Sequence, residues 1–243
     1  MNAIGNFFYQ VYKWIIFIPV FAIASIVFSI GAGLLAVLIS PGAGSLSGVM
    51  WAKTVAFFTP MRVKVEGKEN IKKEQSYVIV ANHQSAYDIF ALYGFLGIDF
   101  RWVMKKELRH AFFIGPASAK VGHIFIDRSS PKAAFESIKE AKNKLVNGTS
   151  VVIFPEGTRS GSNSVRPFKT GAFKMAEALE LPILPVTIKD THKVYGGGTF
   201  NVLPGKVNLT INPCIDTSKY KGDIRALMDV TKEVLIGPIK EFN

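Results

Sequence analysis

The chain has 243 residues, of which 49% are hydrophobic, and it carries a formal net charge of +11 with a pI near 9.7. That length suffices for one domain of ordinary size with an appendage. A composition that is both apolar and strongly basic favours a membrane surface or an anionic ligand as the partner. The single cysteine, Cys214, excludes an internal disulfide framework and offers no metal cluster.

Nucleic acid is the competing explanation of the positive charge. A nucleic-acid-binding chain of this kind is expected to carry a zinc-ligand spacing, a basic helix or an aromatic-rich RNA motif. The sequence contains none of these patterns. We therefore expect a membrane surface and anionic small molecules as partners, and no nucleic acid.

The N-terminal part of the chain is strongly apolar. No charged residue occurs between Lys13 and Lys53, and residues 14–39 form an apolar run long enough to cross roughly 30 Å of hydrocarbon. Glycine and proline at positions 41–44 separate this run from a shorter apolar stretch at 46–58. Two interpretations are open: one spanning helix, or a helical hairpin that dips into one leaflet and returns. Basic residues flank both ends, which favours the hairpin.

The charge distribution places a boundary near Pro60. Residues 1–60 contain only two lysines, or +2, so residues 61–243 carry the remaining 11 − 2 = +9. We predict an N-terminal membrane anchor over residues 1–60 and a second domain, which carries the chemistry, over residues 61–243.

Beyond the boundary, strand and helix patterns alternate along the chain. Strands are predicted at 63–66, 77–81, 100–104, 123–127, 150–154, 183–188 and 206–212. Helices are predicted at 85–96, 130–145, 169–179 and 223–235. This alternation predicts an α/β fold, with a largely parallel mixed sheet flanked by helices, preceded by a membrane-embedded two-helix segment.

The stretch Asn82-His83-Gln84-Ser85-Ala86-Tyr87-Asp88 follows the strand at 77–81. Ser85 is predicted to be the N-cap of the next helix, with Asp88 on its first turn. His83 then lies in the preceding loop and is free to fold back onto the Asp88 carboxylate. Such a pair fixes the imidazole tautomer and leaves one ring nitrogen as a general base. The alternative is a simple capping box, with His83 as an ordinary polar loop residue.

Further polar residues follow the predicted strands that end near 126 and 154, whereas the motif at 181–186 is a buried strand opened by proline. Ligands of open α/β sheets bind outside the carboxyl ends of the strands, so the loops are expected to converge on one crevice. Arg128 and Arg159 have the guanidinium geometry that clamps a phosphate with two hydrogen bonds, and Lys105 or Lys106 would add a further charge.

The loop Phe154-Pro155-Glu156-Gly157-Thr158-Arg159-Ser160 is the most informative of these. Gly157 permits a tight turn or a close approach to a ligand. Pro155 stiffens the loop. Glu156 is expected either to position a substrate hydroxyl or to bind Arg159 across the loop.

These motifs resemble the four sequence blocks of the glycerolipid acyltransferase family. The His-x4-Asp block matches residues 82–88, and the second hallmark matches residues 154–160. Residues 124–128 and 181–186 resemble the remaining two blocks. All four come in the family's order and spacing. The subgroup that the chain resembles most is the bacterial 1-acyl-sn-glycerol-3-phosphate acyltransferases.

The resemblance implies a membrane-associated enzyme. It would transfer a fatty acyl chain from a thioester, acyl-CoA or acyl-carrier protein, to the 2-hydroxyl of lysophosphatidic acid, giving phosphatidic acid. The resemblance also implies that His83 is the general base and that Asp88 orients it. Substrate-binding roles are implied for Lys105, Arg128, Glu156, Gly157, Thr158 and Arg159.

No metal or other cofactor is expected, because a thioester is already activated and the attacking group is an alcohol. The N-terminal segment would hold the enzyme at the cytoplasmic face of the inner cell membrane, where its basic domain is drawn to anionic lipid. Three other functions stay open: an acyltransferase for glycerol-3-phosphate or a lyso amino-acid lipid, a non-catalytic lipid-binding protein, and a thioesterase or lipase. The chain lacks the nucleophile elbow of lipases.

Overall fold

In the computed structural model, the described residues are 3–112, 114–127, 148–198 and 201–240, together with 129, 130, 133, 136, 137, 142 and 145. The α-helices are α1 (Ala3–Tyr12), α2 (Ile18–Leu38), α3 (Pro41–Phe58), α4 (Tyr87–Phe95), α5 (Ile114–Val121), α6 (Gly171–Leu179), α7 (Thr191–Val194) and α8 (Ile224–Lys240). A π-helical stretch, Lys13–Phe17, joins α1 to α2. Short 3₁₀ turns cover Lys68–Asn70, Lys106–His110 and Thr217–Tyr220.

The N-terminal helices α2 and α3 form an antiparallel pair. The Ser47 hydroxyl donates to the Phe28 carbonyl at 2.9 Å, and the Trp51 indole N–H donates to the Ser25 hydroxyl at 3.1 Å. The later residue of α3 thus contacts the earlier residue of α2, as expected for two antiparallel helices. Pro41 occupies the first turn of α3, where a missing N–H costs no intrahelical hydrogen bond. The predicted two-helix segment is confirmed, and the glycines and proline at 41–44 lie inside the second helix.

One helix among the described residues, Gly5–Leu38, is long and apolar enough to cross a membrane. Its outer face leaves large apolar side chains in solvent, including Ile23, Val27 and Leu34 at 62%, 57% and 56% exposure. The opposite side of the helix pair is different, because Ala52 and Val55 of α3 are buried in the same apolar cluster as helix α4. The N-terminal segment thus shares a core with the rest of the chain, and the functional division near residue 60 stays a prediction.

Among the described residues, seven strands form one sheet in the order β1-β7-β6-β2-β5-β3-β4. The strands are β1 (Met61–Glu66), β2 (Val78–Ala81), β3 (Phe100–Lys105), β4 (Ile124–Ile126), β5 (Ser150–Ile153), β6 (Ile183–Lys189) and β7 (Gly205–Ile211). Five strands run parallel to one another: β6, β2, β5, β3 and β4. Strand β7 pairs antiparallel with β6, and β1 pairs parallel with β7. The predicted fold class, a largely parallel mixed sheet flanked by helices, is confirmed.

The two central strands explain why the sheet is covered on both faces. Every residue of β2 and of β6 is buried. In β2, Val78 and Val80 belong to one apolar cluster, and Ile79 and Ala81 belong to the other. Alternate side chains of a strand point to opposite faces, so each face of β2 carries its own core. Because β2 pairs parallel with both β6 and β5, the carboxyl ends of these three strands lie side by side.

The predicted strands agree with these elements to within two residues at each end, and helix α8 extends five residues beyond its predicted end. Helix α4 begins at Tyr87 rather than at Ser85, and helix α6 likewise begins two residues after its predicted start. The predicted helix at 130–145 falls largely outside the described residues.

Asn82 connects the carboxyl ends of β2 and β6. Its side chain is fully buried. The amide oxygen accepts from the Ile188 N–H at 2.7 Å, and the amide nitrogen donates to the Ile188 carbonyl at 2.8 Å. One side chain therefore continues the hydrogen-bond ladder past the last paired residues, at the point where the His83 loop begins.

We predict that Asn82→Ala lowers the free energy of unfolding by about 2 kcal/mol, because it leaves the buried Ile188 N–H without an acceptor. Urea unfolding of the detergent-solubilised protein measures this change. The control is Asn201→Ala, at an exposed position, for which a change within about 0.5 kcal/mol is expected. Equal stabilities of the two variants would contradict the role assigned to Asn82.

Candidate active site

The loop after β2 brings His83 and Asp88 together. Nδ1 of His83 lies 2.6 Å from Oδ2 of Asp88, and the Asp88 side chain is fully buried. The same carboxylate oxygen accepts from the backbone N–H groups of Gln84, at 2.6 Å, and Ser85, at 3.0 Å. The Thr191 hydroxyl donates to the other oxygen, Oδ1. The prediction that His83 folds back from the loop onto Asp88 is confirmed.

Ser85 does not have the predicted N-cap role. Its hydroxyl donates to the Tyr195 carbonyl at 2.6 Å and accepts from the Tyr87 N–H at 3.2 Å. The N-cap residue is Ala86, which has helical backbone angles and no capping side chain. The reason is that the Tyr195 carbonyl holds the Ser85 hydroxyl, which accepts only the N–H of Tyr87, the first residue of the helix. Ser85 instead fastens the loop to the chain that follows α7.

The His83 imidazole is fixed in plane as well as in direction. It stacks on the Phe154 ring at 3.9 Å between centroids, with 12° between the planes. Trp102 stacks behind Phe154 at 6.1 Å. A carboxylate only accepts hydrogen bonds, so the Nδ1–H of His83 donates a hydrogen bond to Asp88 and Nε2 carries the lone pair. No described residue hydrogen-bonds Nε2, and the side chain is 13% exposed. The arrangement suits a general base that faces the crevice.

Glu156 has a structural place at the centre of the site. It is 3% exposed; one carboxylate oxygen accepts from the His83 backbone N–H at 2.7 Å, and the other accepts from the Arg166 N–H at 2.8 Å. Burial raises the pKa of the Glu156 carboxyl, and these two hydrogen bonds offset part of the rise. The alternative prediction that Glu156 binds Arg159 is not observed, because Arg159 is exposed and the Glu156 carboxylate is directed at the backbone of His83 and Arg166.

Backbone hydrogen bonds join the two loops along their length. The Ser160 N–H donates to the His83 carbonyl at 2.8 Å, and the Gly161 N–H donates to the Gln84 carbonyl at 3.2 Å. The expected convergence of the loops after β2 and β5 is therefore observed. It follows from the sheet order, in which these two strands are neighbours.

Gly157, Thr158 and Arg159 are exposed beside this junction. Gly157 has φ +73°, in the left-handed region, and a Cβ there would lie 2.9 Å from Nζ of Lys169. The left-handed backbone therefore favours glycine at this position, and the end of the Lys169 side chain lies close to it. Nη1 of Arg166 donates to the Thr158 hydroxyl at 3.0 Å. Arg166 and Lys169 are cations of the site that the sequence analysis missed.

The remaining predicted cations lie on the far side of the crevice or outside the described residues. Lys105 is exposed at the end of β3, in register with Ile126 at the end of β4. Lys106 donates to Asp127 at 2.8 Å; the pKa of Lys106 is raised by this bond, and that of the Asp127 carboxyl is lowered. Arg128 lies outside the described residues, so its placement at the site stays a prediction.

The carboxyl end of β6 supplies residues that the sequence analysis did not identify. Residues 183–186 of the predicted motif lie in β6, and the polar residues that reach the site follow this strand, at 190–192. Thr191 reaches Asp88, and Nδ1 of His192 lies 3.2 Å from the amide oxygen of Gln84. The available signal was their position directly after a buried parallel strand. Within the described parts of the chain, no group of three metal-binding side chains is found.

The comparison with known proteins agrees with this geometry. The family model called acyltransferase matches residues 62–189, which is more than half of the chain and includes the loops after β2 and β5. The chain belongs to the acyltransferase family. The predicted family is thereby confirmed.

This acyltransferase is 34% identical over 181 residues to a 1-acyl-sn-glycerol-3-phosphate acyltransferase of Limnanthes alba, a match that covers 74% of this chain. The chain spans 64% of the length of that relative. It is 32% identical over 254 residues to the enzyme of the same name from Saccharomyces cerevisiae, covering 100% of this chain and 81% of the yeast protein.

A solved structure covers the whole acyltransferase. The crystal structure of the 1-acyl-sn-glycerophosphate (LPA) acyltransferase PlsC from Thermotoga maritima is similar with a TM-score of 0.81 at 27% identity. The match covers 100% of this chain and 98% of that one. The similarity therefore includes the N-terminal helices as well as the sheet.

We predict that Thr191→Val lowers kcat for acyl transfer about tenfold with KM nearly unchanged, since it removes one charge-assisted hydrogen bond from Asp88. Thr191→Ser keeps the hydroxyl and is expected to retain most of the activity. Steady-state kinetics of both variants, with their unfolding midpoints, make the test. A serine variant as inactive as the valine variant would show that packing of the Thr191 methyl group matters, and not its hydroxyl.

Proposed function

We propose that this acyltransferase moves a fatty acyl chain from a thioester donor, acyl-CoA or acyl-carrier protein, to the 2-hydroxyl of lysophosphatidic acid, giving phosphatidic acid. The observation that carries the proposal is the His83 imidazole, whose Nδ1 is held at 2.6 Å by a buried carboxylate while no described residue hydrogen-bonds Nε2. The names of the relatives from Limnanthes alba and Saccharomyces cerevisiae point to the same acceptor.

In the proposed reaction, Nε2 of His83 takes the proton of the acceptor hydroxyl as its oxygen attacks the thioester carbonyl carbon. The tetrahedral intermediate collapses, the carbon–sulfur bond breaks and the imidazolium returns the proton to the leaving thiolate. Asp88 keeps the ring in place and stabilises its positive charge in between. The imidazole ends neutral, so neither an external acid nor a covalent enzyme intermediate is needed.

The acceptor's phosphate would bind to the cations around the crevice. Arg159 is exposed next to Gly157, and Arg166 and Lys169 approach the same loop from its other side. Arginine binds phosphate oxygens with two parallel hydrogen bonds, whereas lysine contributes a point charge. Lys105 and Arg128 would complete the site from β3 and β4. Glu156, Gly157 and Thr158 would shape it through the backbone that they hold in place.

The N-terminal helices would hold the crevice at the cytoplasmic face of the inner membrane. The apolar helix Gly5–Leu38 has 34 residues, about 50 Å at 1.5 Å per residue, which exceeds roughly 30 Å of hydrocarbon. Helix α3 returns along α2 and packs on the sheet domain. These dimensions favour a helix pair lying within one leaflet over a straight crossing. Acceptor and product would then stay in the bilayer while the donor arrives from the cytoplasm.

We predict that His83→Ala and Asp88→Asn each lower kcat by roughly 10²–10⁴-fold, because each removes general-base catalysis. Purified protein in detergent, given acyl-CoA or acyl-carrier protein as donor and lysophosphatidic acid as acceptor, provides the assay. His110→Ala, a substitution of an exposed histidine, is the matched control and is expected to keep full activity. A His83→Ala variant with most of its acyl transfer intact would refute the proposed chemistry.

The same assay with a panel of acceptors separates the other functions. Lysophosphatidic acid is expected to give the highest kcat/KM, above glycerol-3-phosphate and lyso amino-acid lipids. Acyl release without any acceptor would indicate a thioesterase. Lipid binding without acyl transfer, unaffected by His83→Ala, would indicate a non-catalytic lipid-binding protein.

A further inference from the structure

Outside the N-terminal helices, well-exposed large apolar side chains are confined to one short stretch of the described chain. They are Leu108, Phe112 and Ile114, at 43%, 84% and 50% exposure; the others among the described residues fall between Phe7 and Phe57. All three lie in the β3–α5 segment, which we define as residues 106–121. Exposed apolar residues grouped in this way mark a contact surface.

Helix α5 packs the β3–α5 segment directly against the N-terminal helices. A Cβ built on Gly33 of α2 would lie 3.9 Å from Cα of Ala117, and one built on Gly44 of α3 would lie 3.0 Å from Val121. Helix α5 therefore contacts both helices, and glycine at position 44 lets α3 approach closely. Leu34, the next residue on α2, is 56% exposed. The apolar surface of α2 therefore continues onto the β3–α5 segment.

Basic side chains surround this apolar stretch. Lys105, Lys106, Arg109 and His110 are all exposed, with Glu107 as the one acidic residue among positions 105–110. Counting histidine as neutral, these six residues carry 3 − 1 = +2. Apolar residues bordered by lysine and arginine are typical of a segment that lies in the headgroup region of an anionic membrane.

We propose that the β3–α5 segment is a second membrane-contacting element, in which Leu108, Phe112 and Ile114 enter the bilayer surface and Arg109 meets anionic headgroups. The proposal rests on the membrane association proposed above for the N-terminal helices. The occupant is an anionic lipid surface rather than a protein, because the apolar stretch is continuous with α2 and bordered by positive charge.

The position of the β3–α5 segment would let its contact with the membrane bring the acceptor lipid to the His83 loop. Strand β3 ends at the same edge of the sheet as the His83 loop, and Trp102 of β3 stacks on Phe154, which stacks on His83. A lipid surface that touches the segment directly after β3 therefore comes to the rim of the crevice. An acceptor with its acyl chain in the bilayer would reach His83 from this side with its polar part already near the base.

Spin labels test the contact directly. Phe112→Cys, Val27→Cys and Asn201→Cys are each labelled in a Cys214→Ser background and mixed with vesicles of phosphatidylethanolamine and phosphatidylglycerol. Power saturation with oxygen and a water-soluble nickel chelate reports the depth of each label. We expect labels at 112 and 27 to be immersed, and the label at 201, an exposed position, to stay in water.

Each other outcome is decisive. A label at 112 that stays in water while the label at 27 is immersed overturns the second contact and leaves the anchor intact. Water at both positions overturns membrane association altogether. Protection of position 112 without vesicles, increasing with protein concentration, would assign the surface to a second copy of the chain instead.

A functional test uses the triple variant Leu108→Gln, Phe112→Gln, Ile114→Gln. We expect its affinity for the vesicles to fall about tenfold or more, since it loses the burial of three apolar side chains. Arg109→Gln is expected to weaken binding about fivefold, only when phosphatidylglycerol is present. Activity is then measured on an acceptor in vesicles and on a water-soluble short-chain acceptor. We expect the ratio of the first activity to the second to fall in each variant together with its affinity for the vesicles.

This ratio separates the two proposals. An unchanged ratio in the triple variant, with vesicle binding intact, would overturn the contact while the acyl transfer proposal stands. Loss of activity by the unsubstituted protein on both acceptors would count against the acyl transfer itself. Ser164→Gln, at an exposed position in the loop after β5, is the control and should change neither quantity.

Discussion

The buried carboxylate of Asp88 is the constraint on which the site depends. An unpaired charge without solvent costs several kcal/mol, so the fold must bring donors to it before it can be buried. These come from two places: the loop after β2, which contributes His83 and the backbone of Gln84 and Ser85, and the end of β6, which contributes Thr191. The hydrogen bonds that stabilise the buried Asp88 carboxylate therefore also fix the orientation of the His83 imidazole.

Glu156 and Asn82 extend the same principle across the sheet. Glu156 is also a buried carboxylate, and its two backbone donors tie the loop after β5 to His83 and to Arg166. Asn82 ties the end of β2 to Ile188 in β6. Three neighbouring strand ends are thus connected by side chains rather than by further ladder hydrogen bonds. A base held in this way needs little rearrangement when substrate binds, which is the condition for electrostatic preorganisation.

Local sequence pattern predicted those parts of the structure that local forces decide. The apolar runs of β2 and β6 are buried strands because parallel strands are covered on both faces. The His83–Asp88 contact was also within reach, since both residues lie in one loop and helix start. The hydrogen bonds of Thr191 with Asp88 and of His83 with Glu156 were not, because they join residues that only the strand order makes neighbours. Ser85 was misassigned for the same reason, since its acceptor, Tyr195, is distant in sequence.

The anchor and the base are joined more closely than a division near residue 60 suggests. Thr59, directly after α3, is buried, and its hydroxyl lies 3.0 Å from the hydroxyl of Tyr87, the residue before Asp88. Helix α3 also packs on α4 through Ala52 and Val55. The first turn of α4 therefore holds the Asp88 carboxylate on one side and contacts the end of the apolar helix pair on the other. Because α3 packs directly on α4, the depth of α2 and α3 in a membrane would also set the height of His83 above its surface.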